Sequence, residues 1–449
     1  MAYFKKNIGS LRKALSFIYS PFGTFLVALI SLLVYLIVML SAGTSDLNRL
    51  TKVYFAGDIS YAHQLIIDRF NELYKNKIEI VAIDLAFKEF TTNDRKELLA
   101  RALRSKSDKV DLFSVDQIWV QRFAKWAEPL DKYINNQKRE SILKDAVSSC
   151  YSNGRLVAVP INIDVGVMYY RKDLIGQLKN SKEIKKQLEN SLSWHDFISL
   201  GENFRDTSSP YYIFPADNYE GLVCSFIELV LNQNKNFFNT PKINLLKPES
   251  VRSLQLLKDL IYKYKLSPES VTEFDEGGSF NYYVKNNGIF LRGWPSYKKD
   301  KKNLLVSEAK DTLLTVSPLP HFEGYEPSPI LGGWNLMLSN TSKKKEAALK
   351  FIQFIDSKEA QEILFEEGGY LPILREFYTS ERYKKLFPKL QFFYHQIKQG
   401  VHRPYIADYT RISDIMAYYI HRVLLDKISV EQALKEATIL IDSNKILIE

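Results

Sequence analysis

The segment NGRLVAVPINIDVGVMYYRKDLI, residues 153–175, contains two strand-like runs in line, with a proline between them. The first run ends at Pro160 and the second extends from Asn162 to Tyr170. Both are rich in the β-branched and aromatic residues that favour strands, and a proline cannot donate a hydrogen bond inside a sheet. The pattern predicts a chain that leaves one sheet near the proline and enters another.

The chain from Leu50 onward alternates strand and helix patterns. Three predicted strands, Thr51–Ala56, Ile78–Ile83 and Val110–Asp116, are separated by amphipathic helical patterns. Such alternation is typical of βαβ units and predicts an α/β fold with a mostly parallel sheet. Later helices are predicted at Trp194–Phe204, Val223–Asn232, Pro248–Tyr264, Lys343–Asp356, Arg411–Leu425 and Val430–Asp442.

Length and charge limit the possible classes of protein. With 449 residues and 46% apolar residues, the chain can bury sizeable cores and has room for two or three domains. The formal net charge is +9, but four basic residues precede Phe22 and the remaining charges of both signs are spread through the helical patterns. The excess therefore gives no indication of a nucleic-acid partner.

Phe22–Leu40 is an uncharged run of 19 residues. As a helix it is about 28 Å long, close to the roughly 30 Å hydrocarbon core of a bilayer. The basic residues before it favour a cytoplasmic N-terminal segment, residues 1–21, and an extracytoplasmic location for the rest of the chain. We therefore expect a single-pass membrane anchor at 22–40. A cleaved signal ending near Ser41–Gly43 is the alternative, although signal cores usually span only about 7–15 residues.

Catalytic and metal-binding motifs are missing from the sequence. It has no phosphate loop, no HExxH, no GxSxG and no Cys/His cluster, so no metal, cofactor or enzymatic activity is predicted. A glycoside-active enzyme stays as a minor alternative, because a carboxylate pair can be assembled from four acidic residues: Asp58, Asp116, Asp164 and Glu220.

Tryptophans near predicted strand ends indicate a sugar site. Trp119, Trp294 and Trp334 lie next to Asp116, Arg292 and Asn335, respectively. In α/β sheets the carboxyl ends of the strands open toward the ligand crevice. A pyranose stacks its C–H face on indole, while its hydroxyls hydrogen-bond to carboxylates and guanidinium groups. For each tryptophan a core position is the alternative, since tryptophan is heavily buried on average.

From Leu50 to its C-terminus the chain resembles the family 1 extracellular solute-binding proteins, the sugar receptors of ABC importers. The segments that carry the resemblance include DRFNELYKNKIEI, KVDLFSVDQIWVQRFAKWAEPLDKYI, GIFLRGWPSY and GGWNLMLSNTSKKKEAALKFIQFIDSKEAQEILFEEGGYLPILREFY. NYEGLVCSFIELV and RGWP further resemble the trehalose- and maltose-binding branch.

The resemblance implies a two-lobed periplasmic-binding-protein fold of type II. It places the first α/β lobe at residues 50–160 plus 331–370 and the second at 161–330 plus 371–449. Crossings between the lobes are expected at Pro160–Asn162, Ser328–Leu331 and Tyr370–Pro372. Since Cys150 and Cys224 would then lie in different lobes, both are expected to be free thiols.

The resemblance also implies a ligand held between the lobes. Gly332 and Gly333 would let a strand turn out of the hinge, with Gly333 near the ligand and Trp334 facing it. Family positions that line the pocket correspond to Asp58, Asp116, Asp164, Tyr219, Glu220, Trp294 and Tyr370. Together with the strand-end residues, the expected ligand-binding set also includes Trp119 and Arg292.

The expected function is that of a monomeric receptor that delivers a di- or oligosaccharide, similar to trehalose or maltose, to ABC permease subunits. Because family members are usually free or lipid-anchored, whereas a helical anchor is predicted here, a membrane-tethered sugar sensor is the alternative.

Overall fold

The computed structural model describes residues 19–47, 50–85, 92–105, 109–240, 242–299, 313–406 and 408–443. The predicted cytoplasmic segment, residues 1–21, falls almost entirely outside these ranges. Two compact units make up the chain. The smaller contains the N-terminal helix, the residues up to Lys52 and Leu73–Glu79, and the larger contains Val53–Glu72 and everything from Ile80 onward.

The strands are β1 Thr51–Gly57, β2 Ile78–Asp84, β3 Leu112–Asp116, β4 Tyr151–Ser152, β5 Arg155–Leu156, β6 Val159–Val165, β7 Val167–Arg171, β8 Tyr212–Ile213, β9 Phe290–Gly293, β10 Leu314–Ser317, β11 Ile330–Leu338 and β12 Val401–His402. The α-helices are α1 Pro21–Leu47, α2 Tyr61–Leu73, α3 Thr92–Arg104, α4 Val120–Phe123, α5 Asn136–Ser141, α6 Lys144–Ser148, α7 Lys172–Gly176, α8 Ser181–Asn190, α9 Trp194–Gly201, α10 Glu220–Gln233, α11 Pro248–Tyr262, α12 Glu276–Lys285, α13 Lys345–Ile355, α14 Lys358–Gly368, α15 Glu376–Thr379, α16 Glu381–Leu386, α17 Lys389–Gln399, α18 Tyr409–Leu424 and α19 Val430–Asp442. Short 3₁₀ helices lie at Gln117–Trp119, Ala124–Trp126, Glu202–Phe204, Glu269–Glu273 and Pro295–Lys299.

Helix α1 covers the run predicted as a membrane anchor. Its first turn is capped by Ser20, whose hydroxyl oxygen accepts a hydrogen bond from the Gly23 amide at 3.0 Å. Large apolar side chains such as Phe22 and Phe25 are exposed along it. Over the described ranges, no helix combines the length and the apolar character needed to span a bilayer.

Two sheets organise the larger unit. The first has the order β12-β11-β3-β1-β2, and β6 also pairs with β11. Strand β1 runs parallel to β3, whereas β11 runs antiparallel to both β3 and β6. The first core lies on this sheet, where the Phe351 ring packs on Phe55 and Phe70 at centroid distances of 5.8 and 5.1 Å.

The second sheet has the order β10-β7-β9-β8. Only β8 and β9 are parallel, and the other two pairs are antiparallel. The prediction of mostly parallel pairing is therefore wrong for this sheet and for the pairs that β11 forms with β3 and β6, although β11 and β12 are parallel. Parallel pairing requires a crossover that returns each strand in the same direction, whereas β11 returns to the first sheet after the strands of the second sheet and runs opposite to β3.

The chain changes sheets at Gly166, beyond the predicted Pro160–Asn162 crossing. Strand β6 continues through Pro160 because this proline lies opposite Asn335, beside a β-bulge, where its missing amide hydrogen interrupts no regular ladder. The Gly166 amide donates to the Ile330 carbonyl at 2.9 Å. The outgoing and returning strands therefore lie side by side at this crossing.

Candidate functional site

A cavity of about 500 Å³ lies in the larger unit, at the ends of strands from both sheets. Asp58 follows β1, Asp116 ends β3 and Trp294 follows β9. The volume is within the range of about 300–1,000 Å³ that small-molecule sites occupy. The predicted site residues that line this cavity are Asp58, Asp116, Asp164, Glu220, Trp294, Gly333, Trp334 and Tyr370.

Arg403 follows β12 and joins two carboxylates of the cavity wall. Its Nη2 donates to both oxygens of Asp116, at 2.8 and 3.2 Å, and its Nη1 donates to Glu220 Oε1 at 2.7 Å. Arg403 is only 2% exposed. Because Asp116 ends a strand of the first sheet and Glu220 begins α10, which follows β8 of the second sheet, the guanidinium links groups that follow strands of both sheets.

Glu220 has further hydrogen-bond donors. The Tyr409 hydroxyl donates to its Oε1 at 2.9 Å, and the Ser413 hydroxyl donates to its Oε2. Burial raises the pKa of Glu220, while Arg403 and Ser413 oppose that rise. The carboxylate is therefore held in one orientation at the cavity wall.

Trp334 lies partly exposed at the wall, supported by the first sheet. It is paired with Asp116 on β3 and with Asn162 on β6. The Trp119 ring meets it edge-on at a centroid distance of 6.3 Å, and Arg95 Cζ lies 5.2 Å from its ring centroid. Both contacts fix the indole beside the carboxylate wall.

The two glycines before Trp334 allow close approach of the backbone. A Cβ on Gly332 would lie 3.1 Å from the Trp294 ring, so the indole of Trp294 packs directly on β11. Gly333 has φ +136°, and a Cβ there would lie 2.5 Å from the Asn162 carbonyl oxygen. Gly333 therefore requires glycine, whereas a side chain at 332 would need Trp294 to shift slightly; both positions lie inside a continuous strand rather than at a turn out of the hinge.

Two further carboxyl groups of the cavity have raised pKa values. Burial raises the pKa of Asp164 to about 8, against the opposing effects of the Val165 amide and Arg292. Burial also raises the pKa of Glu276, and the nearby Tyr219 hydroxyl opposes that rise. Burial therefore makes ionisation of both carboxyl groups less favourable than in water.

Three predicted site residues do not line the cavity. Trp119 is 3% exposed and packs against Trp334, and Tyr219 is 6% exposed, with its ring over Gly221. Arg292 is 1% exposed, and its Cζ lies 4.2 Å from the ring centroid of Trp294. These residues form a second layer that supports the cavity wall.

Several lining residues were not predicted, among them His63, Asp275, Glu276, Tyr297 and Arg403. Asp275 accepts a hydrogen bond from the Gly278 amide at 2.6 Å, so the DEGG sequence is a helix start that could have been recognised. Arg403 follows a strand of two residues, too short to give a periodic signal.

The described part of the chain contains no group of three or more His, Cys, Asp or Glu side chains placed to hold a metal ion. Cys150 and Cys224 are buried free thiols, as predicted, and Cys224 lines the cavity. Burial raises the pKa of both thiols, so neither is activated as a nucleophile.

Residues 56–362 match the family of bacterial extracellular solute-binding proteins. This match covers more than half of the 449 residues, and the chain therefore belongs to that family. Its members are the substrate-binding proteins of ABC transporters, with a two-lobed α/β fold, and are not enzymes. The predicted family, the two-lobed fold and the non-enzymatic class are confirmed.

Individual relatives agree with this assignment. A probable ABC transporter-binding protein of Deinococcus radiodurans is 26% identical over 353 residues, which cover 76% of this chain and 81% of the relative. A maltooligosaccharide ABC transporter solute-binding lipoprotein of Streptococcus pneumoniae is 24% identical over 54% of each chain. The structure of maltose-bound MalE3 of T. maritima superposes with a TM-score of 0.78 at 26% identity, covering 88% of this chain and 99% of MalE3.

Proposed function

We propose that this protein captures a di- or oligosaccharide, similar to maltose or trehalose, in the cavity between its lobes and delivers it to an ABC permease. The observation that carries the proposal is the composition of the wall, where Trp294 and Trp334 stand beside Asp116, Glu220 and other carboxyl groups. Indole faces stack on sugar C–H groups, and carboxylates accept hydrogen bonds from sugar hydroxyls.

Polar groups deeper in the wall support the same proposal. The Tyr297 hydroxyl is buried and makes no hydrogen bond to any described residue. Buried polar atoms are usually paired, so a hydroxyl-rich ligand in the adjacent cavity would supply the missing partner. The relatives from S. pneumoniae and T. maritima, named for maltooligosaccharide and maltose, have ligands of this chemical class.

The proposal extends to the N-terminal run. We propose that Phe22–Leu40 tethers a monomeric receptor on the extracytoplasmic side of the membrane, because its 19 uncharged residues follow a basic segment. Membrane fractionation and N-terminal sequencing of the native protein test this. Mature soluble protein that begins near Thr44 would show a cleaved signal instead.

A ligand screen tests the sugar assignment. Maltose, trehalose, longer maltooligosaccharides and monosaccharides are added singly, and the thermal midpoint is recorded before and after. A sugar that binds only the folded protein at a hundred times its Kd adds about 2.7 kcal/mol of stability. Stabilisation by a disaccharide without its hydrolysis supports the proposal, and no response to any sugar contradicts it. Permease genes beside this gene would favour transport over the sensor alternative.

A further inference from the structure

Glu228 and Arg292 form a buried ion pair next to the cavity. Arg292 Nε donates to Glu228 Oε2 at 3.3 Å, and the two residues are 1% and 8% exposed, for Arg292 and Glu228 respectively. Removing two charges from water is costly, and an apolar pair of similar size often serves stability as well. The pair therefore calls for a reason other than stability.

The Arg292 guanidinium also stacks on Trp294. Its Cζ lies 4.2 Å from the ring centroid, well inside the roughly 6 Å range of a cation–π contact. Arg292 Nη1 and Nη2 are buried and make no hydrogen bond to any described residue. The indole is therefore a principal contact of the guanidinium besides Glu228.

The other end of the pair is tied to the crossing between the lobes. Glu228 Oε1 accepts a hydrogen bond from the Ile330 amide at 2.8 Å. Ile330 begins β11 and, through its carbonyl, receives the Gly166 amide of the outgoing strand. The chain of contacts thus connects Trp294, Arg292 and Glu228 to the point where both strands pass between the lobes.

We propose that the Glu228–Arg292 pair holds the indole of Trp294 in position as a sugar-stacking surface and links that surface to the crossing between the lobes. Arg292 acts through Trp294 and does not touch the ligand. This assignment rests on the proposed function, in which Trp294 contacts a sugar ring. Its consequence is selectivity for ligands that stack on this indole.

A double-mutant cycle tests the positioning role. The E228Q/R292M variant removes both charges together, and the amide oxygen of the introduced glutamine can still accept the hydrogen bond from the Ile330 amide. Affinity for maltose and trehalose is measured by calorimetry in this variant, in W294A and in the combination. We expect E228Q/R292M alone to weaken binding about tenfold, and to cause no further loss when Trp294 is absent. An equal loss in both backgrounds would overturn the proposal.

A matched control uses another ion pair at the same sheet. At the end of β7, Arg171 Nη2 lies 2.6 Å from Asp173 Oδ2, and neither residue lines the cavity. R171M/D173N should leave sugar affinity unchanged. R292K, which keeps the charge but not the planar guanidinium, should lie between the wild type and E228Q/R292M.

A ligand-free measurement separates this inference from the sugar assignment. The protein is labelled with 5-fluorotryptophan, and W294F identifies the ¹⁹F resonance of Trp294. In E228Q/R292M that resonance should shift and broaden, because the indole samples more than one orientation. If no sugar binds the wild type, the proposed function fails and this test still stands. An unchanged Trp294 resonance in folded E228Q/R292M would overturn the positioning role.

Discussion

Two buried arginines support different parts of the cavity wall, one made of carboxylates and the other of an indole ring. Arg403 lines the cavity and donates to Asp116 and Glu220 at 2.7–3.2 Å. Arg292 lies behind the wall, with one longer hydrogen bond, 3.3 Å, and a stacked indole. Arg403 therefore orders a polar surface that joins groups following strands of both sheets, whereas Arg292 supports the apolar surface of Trp294 and reaches the crossing only through Glu228.

The comparison of Arg403 with Arg292 shows why arginine fits both environments, one with carboxylates and one with an aromatic ring. A guanidinium has several donors in a plane for carboxylates and two flat faces for aromatic rings. At Arg403 the donors dominate, since two carboxylates flank it, and at Arg292 the face is used as well. The expected consequences of substitution differ accordingly, in size and in kind.

The largest effect is expected for R403M. Removing this cation leaves Asp116 and Glu220 without their partner in a buried wall, which costs about 3–5 kcal/mol of folding free energy. Sugar affinity should fall by at least about a hundredfold, because both carboxylates lose their orientation. Urea unfolding and calorimetry measure the two losses.

The triple variant D116N/E220Q/R403M is the matched control for the stability loss. It removes all three charges and should recover most of the folding free energy without restoring sugar affinity. If R403M were as stable as the wild type, the conclusion that Arg403 is the essential partner of the two buried carboxylates would be wrong.

A pH effect of intermediate size is expected from Asp164, which has no ion pair among the described residues. Its pKa of about 8 in the folded protein exceeds the usual value of about 4 in an unfolded chain. Between these values the folded state binds more protons, so this contribution to stability is complete below about pH 4 and is lost as the pH rises toward 8.

D164N removes that dependence. From pH 5 to 7 the wild type should lose up to about 1.4 kcal/mol per pH unit relative to D164N. Urea unfolding of both proteins at matched pH values measures the difference, and the other buried carboxyl groups cancel because both proteins contain them. Parallel curves would show that Asp164 is ionised in the folded protein.

Strand and helix patterns predicted the framework well, because long amphipathic or apolar segments carry their own periodicity. The helix Val430–Asp442 has the predicted bounds. The predicted crossing, Pro160–Asn162, lies before the observed one at Gly166, because the bulge that accommodates the proline depends on pairing with β11, a strand distant in sequence. Arg403 could not be predicted, since its role depends on partners 183 and 287 residues away along the chain.

A moderate loss of affinity is expected for W334A. Losing one aromatic contact and its buried area should weaken sugar binding by roughly 1–3 kcal/mol while the fold is retained. The control is W126A, since Trp126 does not line the cavity. Unchanged affinity by calorimetry would assign Trp334 to the core alone.

The smallest effect concerns the distance between the lobes, and it separates the two arginines directly. Fluorescent labels are placed on Q64C in α2 and K182C in α8, both exposed, while the two native thiols are buried. Sugar that contacts both lobes should favour the closed arrangement and shorten the distance between the labels. Without sugar, R403K should lengthen that distance, because a lysine cannot bond Asp116 and Glu220 with the same fork geometry. E228Q/R292M should leave it unchanged, since the introduced glutamine can still accept the hydrogen bond from the Ile330 amide and the side-chain hydrogen bond of Arg292 is to Glu228. An equal response of both variants would remove the distinction between a residue that joins the lobes and one that supports a single wall.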